Sequence, residues 1–446
     1  MNDRVFDTDR LVPVYFRQAL PVVLNMVVTL IYNLADTWFV ARTGNALLVA
    51  GVSLCAPVFT MLMAFGNIYG QGGSSLISRL LGADDRPSVR RVSSFSFWLA
   101  IATGVVLAVP MLIFRSPMLR VLGSSPDTLK YAGEYYTWLA IGAPLIILSF
   151  IHSNLLRCEG MATQSMFCTV SGSVLNIILD PIFISVLGLG AAGAAIATVL
   201  GYTLSDILCL LIVLKKSRSL SVKTSDCRLK NGELGQILAV GITAAVTNLA
   251  TSVCVVTINQ FLSSYGDEKI AAMGIVSKIS MIVQLILVGF SFGGVPVFGY
   301  LYGAGMRDKL RSLLKFVMTF LCGLALAMTL VIIAASSPLM RFFIDDAGII
   351  SDGTVMLRWQ ISCSAFGGVV LLLTCLFQAT GKALPALILS LSRQGLLFLA
   401  VLWLATTLLG YTGFLAAQPA ADVLSAALAL FLYFRQFGRE GRAVSG

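Results

Sequence analysis

The sequence predicts an all-α membrane protein with twelve transmembrane helices in two pseudo-symmetric lobes of six. Of its 446 residues, 57% are hydrophobic and only 12% are charged, whereas soluble domains carry about 25% charged residues. The chain breaks into apolar runs of about twenty residues, the length of a bilayer-spanning helix. Gly and Pro occur inside these runs without strand-like alternation, which favours helices over a barrel. The second half of the chain also repeats the first.

Charge gives the orientation of the predicted spans, which lie at 14–40, 47–71, 93–114, 134–155, 166–187, 191–214, 237–262, 271–300, 313–335, 356–378, 384–409 and 413–435. With the N-terminus in the cytoplasm, 23 of the 31 Lys and Arg residues fall on the cytoplasmic side and eight on the outer side. This is the positive-inside distribution. The net charge of +10 therefore reports topology rather than nucleic-acid binding. We expect a multi-pass protein of the cell (inner or plasma) membrane with both termini cytoplasmic.

Several other classes of protein are disfavoured. The N-terminal segment lacks a small-residue cleavage site, so we expect no removable signal peptide. The nine cysteines are scattered without a C-x-x-C pair, which favours packing roles over disulfides or metal ligation. The sequence contains no H-E-x-x-H, G-x-S-x-G or P-loop, and a lone histidine, His152, cannot form a metal cluster. We expect no enzymatic activity and no cofactor, and energy from an ion gradient or a separate subunit.

The two halves of the chain match at a constant offset of 221 residues. The identities pair Gly72-Gly73 with Gly293-Gly294, Gly82-Ala83 with Gly303-Ala304, Arg90 with Arg311, Phe95 with Phe316, Ser116-Pro117 with Ser337-Pro338, Arg120 with Arg341, Trp138 with Trp359, and Gly160 with Gly381. Because each half has an even number of spans, both have the same orientation, as in carriers with a substrate site between two repeats. Channels have repeats too, but two facing bundles suit a carrier better. We predict an N-lobe (1–214), a cytoplasmic linker (215–236) and a C-lobe (237–446).

Polar residues inside the spans are the candidates for function, because even a single carboxylate at the bilayer centre costs roughly 2.5–3.5 kcal/mol. The carboxylates concerned are Asp36, Asp180, Asp206 and Asp422. Asp206 and Asp422 lie on the final spans of the two halves. They could form a secondary relay, but we favour a role as hydrogen-bonding groups between helices. We expect Lys278 and Arg393 to extend toward the membrane surface and His152 to be structural.

Four oxygen-bearing residues converge in depth within the N-lobe. Span 5 runs outward and places Asp180 about 21 Å along its length, with Asn176 one turn earlier on the same face. Span 1 places Asp36 toward its outer end, with Tyr32 one turn below. Span 6 begins on the outer side, so Thr198 lies in the outer half as well. Asp36, Asn176, Asp180 and Thr198 therefore predict one polar site, with Tyr32 as a possible supporting residue.

The chemistry of this site admits two coupling ions. Pro181 disfavours helical geometry at Asp180 and frees a carbonyl one turn back. Oxygen ligands with one or two carboxylates suit a hard cation such as Na⁺. Two acids in an apolar site also repel each other, so one could hold a proton near neutral pH. A structural alternative has Asp180 capping a kink and Asp36 reaching the outer interface.

The whole chain resembles the multidrug and toxic compound extrusion (MATE) family. The residues that carry this resemblance are LIYNLADTWFVARTGNALLVAGVSLCAPV, GQGGSSLISRLLGADD and GSVLNIILDPIFISVLGLGAAGAAIATVLG, continued by MGIVSKI and FGYLYGAG in the second half. The resemblance implies a MATE-like fold, with two six-helix lobes forming a V around a central cavity. It also implies antiport of organic cations or other drugs against Na⁺ or H⁺.

Carried over by position, the resemblance makes Asp36 the cation- or proton-binding acid and Asn176, Asp180 and Thr198 the other members of an N-lobe site. It further suggests that Pro21 lets span 1 bend as the site fills. Some branches of the family carry acids in the seventh and tenth helices, but here TAAVTNLATSVCVVTINQF and VMLRWQISCSAFGGVVLLLTCLF have none. This departure favours the DinF-like branch, with coupling in the N-lobe.

Two other functions remain open from the sequence. A flippase for a lipid-linked precursor, from the same superfamily, would favour a cavity lined by several arginines, and few interior basic residues are present. A channel would carry current without saturable exchange. The residues decide neither the coupling ion nor the substrate. We expect a monomer in the lipid bilayer, because both halves lie in one chain.

Overall fold

The computed structural model describes residues 5–230 and 232–443, and this part of the chain is helical without any β-strand. Its helices are α1 (Leu11–Arg42), α2 (Ala46–Leu54), α3 (Ala56–Gly82), α4 (Arg86–Ile113), α5 (Arg115–Val121), α6 (Leu129–Cys158), α7 (Ala162–Pro181), α8 (Gly190–Lys216), α9 (Glu233–Ser263), α10 (Asp267–Gly303), α11 (Arg307–Ala334), α12 (Ser336–Phe343), α13 (Ala347–Ser362), α14 (Ser364–Ala379), α15 (Ala383–Arg393) and α16 (Leu396–Ala443). A π-helical turn at Ile182–Val186 follows α7, and a 3₁₀ turn at Thr224–Asp226 lies between α8 and α9.

The helices account for the twelve predicted spans. In the described chain ten helical stretches are long and apolar enough to cross a membrane, and the pair α13–α14, bent by 43°, makes an eleventh. The stretch Ala383–Gly438 has 56 residues, about 84 Å of helix, which is long enough for two crossings. Gly410 interrupts it with a positive φ of 58°, between the predicted spans 384–409 and 413–435. The all-helical prediction is confirmed.

The sequence repeat is visible in the helix boundaries. Helices α4 and α11 have 28 residues each and begin at Arg86 and Arg307, which are 221 residues apart in sequence. Each is followed directly by a short helix, α5 or α12, whose first residues, Arg115 and Ser336, keep the same offset. The two halves therefore contain matching helices in matching order.

The segment between the two halves is bound to the first of them. The Oγ of Ser94 on α4 donates a hydrogen bond to the carbonyl of Lys223 at 2.6 Å. The Nε1 of Trp98, one turn further along, donates to the carbonyl of Val222 at 3.1 Å. Residues 221–223 are thus held against α4, because the Oγ of Ser93 also donates to the carbonyl of Ser221 at 3.2 Å.

Close contacts between the halves lie at one end of the bundle, here called the terminal side, where α1 begins and α10 ends. The seam is formed by α1 and α3 of the first half and α9 and α10 of the second. In it, the Tyr15 hydroxyl donates to the carbonyl of Phe290 at 2.9 Å. The ring of Phe16 packs edge-on against Phe290 and Phe320. Beside the seam, Lys309 reaches the carboxylate of Asp9 at 3.0 Å.

Candidate cation site in the first half

Helix α7 places two of the predicted residues in the protein interior. Asn176 and Asp180 are one helical turn apart, and both are buried, with exposed fractions of 2% and 0%. The sequence predicted that Pro181 disturbs the helix at Asp180. This prediction is wrong about where the helix becomes irregular. Helix α7 continues through Pro181, and the irregular π-helical turn comes after it, at Ile182–Val186. Asp180 is therefore held by regular helix.

Thr198 of α8 completes a small hydrogen-bonded group with these residues. The Asn176 Nδ2 donates to the Asp180 Oδ1 at 3.5 Å and to the Thr198 Oγ1 at 3.4 Å, both long for hydrogen bonds. The other oxygens, Asn176 Oδ1 and Asp180 Oδ2, are buried without a hydrogen-bond partner among the described residues. An unsatisfied buried acceptor costs about 1–3 kcal/mol. A bound cation or proton would relieve that cost.

Asp36 of α1 faces this group. Its carboxylate interacts electrostatically with that of Asp180, and its Oδ1 is a further buried oxygen without a partner in the described chain. The side chain as a whole is only partly buried. Asp36, Asn176, Asp180 and Thr198, here called the cation site, are thus brought together from three helices, as their depth in the sequence predicted. Their donor set of carboxylate, amide and hydroxyl oxygens fits Na⁺.

Three tyrosines line the same region, two of which the sequence analysis missed. Tyr32, the predicted neighbour of Asp36, also interacts with the side chains of Thr198, Tyr135 and Tyr202. Tyr202 could have been found, since it follows Thr198 by one helical turn on the same face of α8. No sequence spacing of this kind points to Tyr135 of α6. Its hydroxyl interacts electrostatically with both Asp36 and Asp180.

Pro21 lies far from the cation site and close to the seam. It is buried within α1, which continues through it without a break. Its neighbours Ala19 and Val23 back onto Gly293 and Gly289 of α10. Pro21 precedes Asp36 by 15 residues, about 22 Å along the helix. The suggested bending at Pro21 stays a prediction.

The remaining predicted aspartates each face a basic side chain on a neighbouring helix. Asp206 of α8 lies 3.6 Å from His152 of α6, measured between Oδ1 and Nδ1. Asp422 of α16 accepts a hydrogen bond from the Arg393 Nε at 3.1 Å. The expectation that Arg393 extends to the membrane surface is therefore wrong, because its exposed fraction is only 8% and a buried carboxylate holds it inside. Lys278 is exposed.

Comparisons with known proteins agree with this architecture. The MatE family model matches residues 21–182 and 243–421. Multidrug export protein MepA of Staphylococcus haemolyticus is 30% identical over 417 residues, covering 93% of this chain and 92% of that protein. MepA of Staphylococcus aureus is 28% identical, with the same coverage.

Solved structures extend the match to three dimensions. A crystal structure of MATE in the bent conformation has a TM-score of 0.92 at 25% identity, covering 99% of this chain and 98% of that one. An outward-facing conformation of a multidrug resistance MATE family transporter of the MOP superfamily has a TM-score of 0.87 at 26% identity, covering 95% and 94%. The chain belongs to the MatE family, the multidrug and toxic compound extrusion transporters.

Proposed function

We propose that the protein is a secondary active multidrug efflux antiporter. It exports organic cations or other amphipathic drugs in exchange for Na⁺ or H⁺ by alternating access. Family membership supports transport, and the curated relatives named as multidrug export proteins support the substrate class. The acidic cation site supports coupling to a cation. The expected orientation places the terminal side in the cytoplasm, with the bacterial cell membrane as the location.

The observation that carries the proposal is the separation of the seam from the cation site along α1. Tyr15 and Phe16, near the start of α1, pack into the seam. Asp36 lies near its end, about 30 Å further along the helix. One helix therefore belongs both to the contact that closes the terminal side and to the site that holds the ion.

Ion binding can drive the change of access through this helix. A cation held by Asp36 of α1 and by Asp180 of α7 would draw the far half of α1 toward α7 and offset the repulsion between the two carboxylates. The cation shifts the equilibrium only if it binds one lobe arrangement better than the other. If the buried oxygens without partners separate when the seam opens, the cation binds the closed-seam arrangement more tightly than the open one.

Gradient-driven transport tests the proposal. Purified protein in liposomes should move a fluorescent organic cation under an imposed Na⁺ gradient or an imposed pH gradient, each applied alone. Asp36→Asn should abolish this movement while the protein stays folded. Thr37→Val is the matched control, because the Thr37 hydroxyl donates to the carbonyl of Asn33 in its own helix at 2.8 Å. This control should transport at the wild-type rate.

Two outcomes would overturn the proposal. Wild-type rates in Asp36→Asn would remove Asp36 from coupling. An absence of movement under either gradient would favour the flippase for a lipid-linked precursor, and translocation of a pyrophosphate-linked lipid headgroup would then be measured in the same liposomes. The two carboxylates of the cation site favour coupling to a cation.

A further inference from the structure

A second pair of ionisable residues is buried in the N-lobe, away from the cation site. His152 of α6 and Asp206 of α8 have exposed fractions of 2% and 5%, and 3.6 Å separates Nδ1 from Oδ1. That distance suits an ion pair but is long for a hydrogen bond. His152 is the single histidine of the chain.

The pair is not a satisfied structural contact. Both ring nitrogens of His152 and both carboxylate oxygens of Asp206 are buried without a hydrogen-bond partner in the described part of the chain. The other buried pair differs, since Asp422 accepts hydrogen bonds from Arg393 at 3.1 Å and from Gln418 at 3.2 Å. Native proteins leave few buried polar atoms unpaired, and such atoms are explained by a catalytic or redox role, a bound water or ion, or strain.

Among the described residues, no lysine or arginine is found to interact with Asp206. The described groups that interact with Asp206 are His152, Tyr202 and Cys209, and none of them is a lysine or arginine. From α7, Cys168 contacts Cys209. From α4, the ring of Phe97 packs on His152 with centroids 5.3 Å apart. One proton shared between the two side chains leaves the pair without net charge, and the pair carries a net charge when that proton leaves or a second one arrives.

The pair also lies on the helix face that leads to the cation site. Thr198, Tyr202 and Asp206 follow each other at intervals of four residues on α8, so they share one face. Tyr202 interacts with Asp206 at one end and with Tyr32 at the other. Eight residues separate Thr198 from Asp206, about 12 Å along the helix, close enough for buried charges to act on each other.

We propose that His152 and Asp206 form a second proton-binding site, electrostatically linked along α8 to the cation site. Protons enter from and return to water, and no bond other than N–H or O–H forms or breaks. A cation bound at Asp36 and Asp180 opposes a second proton on the pair. Only this link to transport rests on the function proposed above; proton binding by the pair does not.

The lone histidine allows a direct test. Full-length protein in lipid nanodiscs, labelled with ¹⁵N-histidine and purified through a tag without histidine, gives one imidazole signal from His152. The proposal predicts that this signal changes with pH and that Asp206→Asn changes that response, because the carboxylate no longer compensates an imidazolium. Addition of Na⁺ or Asp180→Asn should also move the titration. A signal that is independent of pH and unchanged in Asp206→Asn would overturn the proposal.

Transport gives an independent readout. Asp206→Asn and His152→Gln should each shift the pH profile of organic-cation transport by about one pH unit, a tenfold change of rate on its flank. Ser205→Ala is the control, since Ser205 is equally buried and adjacent in sequence. Folding of each variant is checked by size-exclusion chromatography. Unshifted profiles in both folded variants would contradict the proposal, whereas a wild type that transports nothing would instead contradict the proposed function.

Discussion

Gly82 of α3 and Gly303 of α10 are pseudo-symmetric partners at the terminal end of the seam. A Cβ at Gly82 would collide with the carbonyl oxygen of Tyr300, and one at Gly303 would collide with that of Arg79. The offset of 221 residues that relates the two glycines also relates Arg79 to Tyr300. The contact is therefore two copies of one interaction, in which backbone meets backbone because no side chain intervenes.

Filling this contact should hold the seam open. Gly303→Ala places a methyl group against backbone that cannot move aside, and overpacking costs about 1–3 kcal/mol. We expect the closed-seam population and the transport rate to fall by about tenfold. Liposome transport measures the rate.

Gly274→Ala is the matched control on the same helix, because nothing lies within 4 Å of a Cβ at that position. It should transport normally. Equal transport by Gly303→Ala and Gly274→Ala, with both proteins folded, would show that the close approach at Gly303 is dispensable.

The buried pair of Arg393 and Asp422 should behave as a structural unit. Removing one partner of a buried ion pair costs about 3–5 kcal/mol, because the other charge is left uncompensated. We expect Asp422→Asn to lower thermal stability strongly, and the double variant Arg393→Gln with Asp422→Asn to recover most of the loss. Heat treatment followed by size-exclusion chromatography gives the stabilities of the wild type, Arg393→Gln, Asp422→Asn and the double variant. Additive effects of the two substitutions would contradict the coupling.

Asp84 carries backbone strain that its repeat partner avoids. Its φ is +55°, and the corresponding residue in the second half is Gly305, with φ of +71°. The left-handed region costs about 1–2 kcal/mol for residues other than glycine. Asp84 also pairs with Arg86 at 3.3 Å, but it is 83% exposed, and exposed ion pairs contribute little. Asp84→Gly should therefore raise the melting temperature and Asp84→Val should lower it. A melting temperature of Asp84→Gly below that of the wild type would contradict backbone strain at Asp84.

Asp85 caps the start of α4 and gives a stability term that depends on pH. Its carboxylate accepts hydrogen bonds from the Ser88 hydroxyl at 2.6 Å and from the Ser88 N–H at 3.1 Å. These bonds hold the pKa of Asp85 below its usual value. The stabilisation is present above about pH 4 and is lost as the pH falls through the lower, folded pKa. Asp85→Ala should cost about 0.5 kcal/mol at pH 7, and this difference should shrink on acidification; a constant difference would contradict it.

The sequence predicted the parts of the fold that depend on spacing. The apolar runs predicted helices, and the constant offset between Arg86 and Arg307 predicted their repetition. Residues one turn apart, such as Asn176 and Asp180, share a face in any helix. Depth then predicted that Asp36 and Thr198 meet them.

Rotation and long-range pairing were beyond the sequence. The depth of a residue in the membrane does not tell which face of α6 points toward the cation site. The sequence therefore could not show that Tyr135 lies near Asp36. Arg393 and Asp422 lie 29 residues apart on different helices, and neither sequence position indicates the other. A basic residue within a span was therefore assigned to the membrane surface.

In the proposed mechanism, occupancy of the cation site controls the seam through α1. The most direct measurement is the distance between spin labels at Lys216 and Ser312, two exposed positions on the terminal side of opposite lobes, in a variant with the nine cysteines replaced. Adding Na⁺ or lowering the pH should redistribute short and long distances in this background, and Asp36→Asn or Asp180→Asn should abolish the response. A distance distribution that changes with neither Na⁺ nor pH, or that responds equally in the two variants, would contradict control of the seam by the cation site.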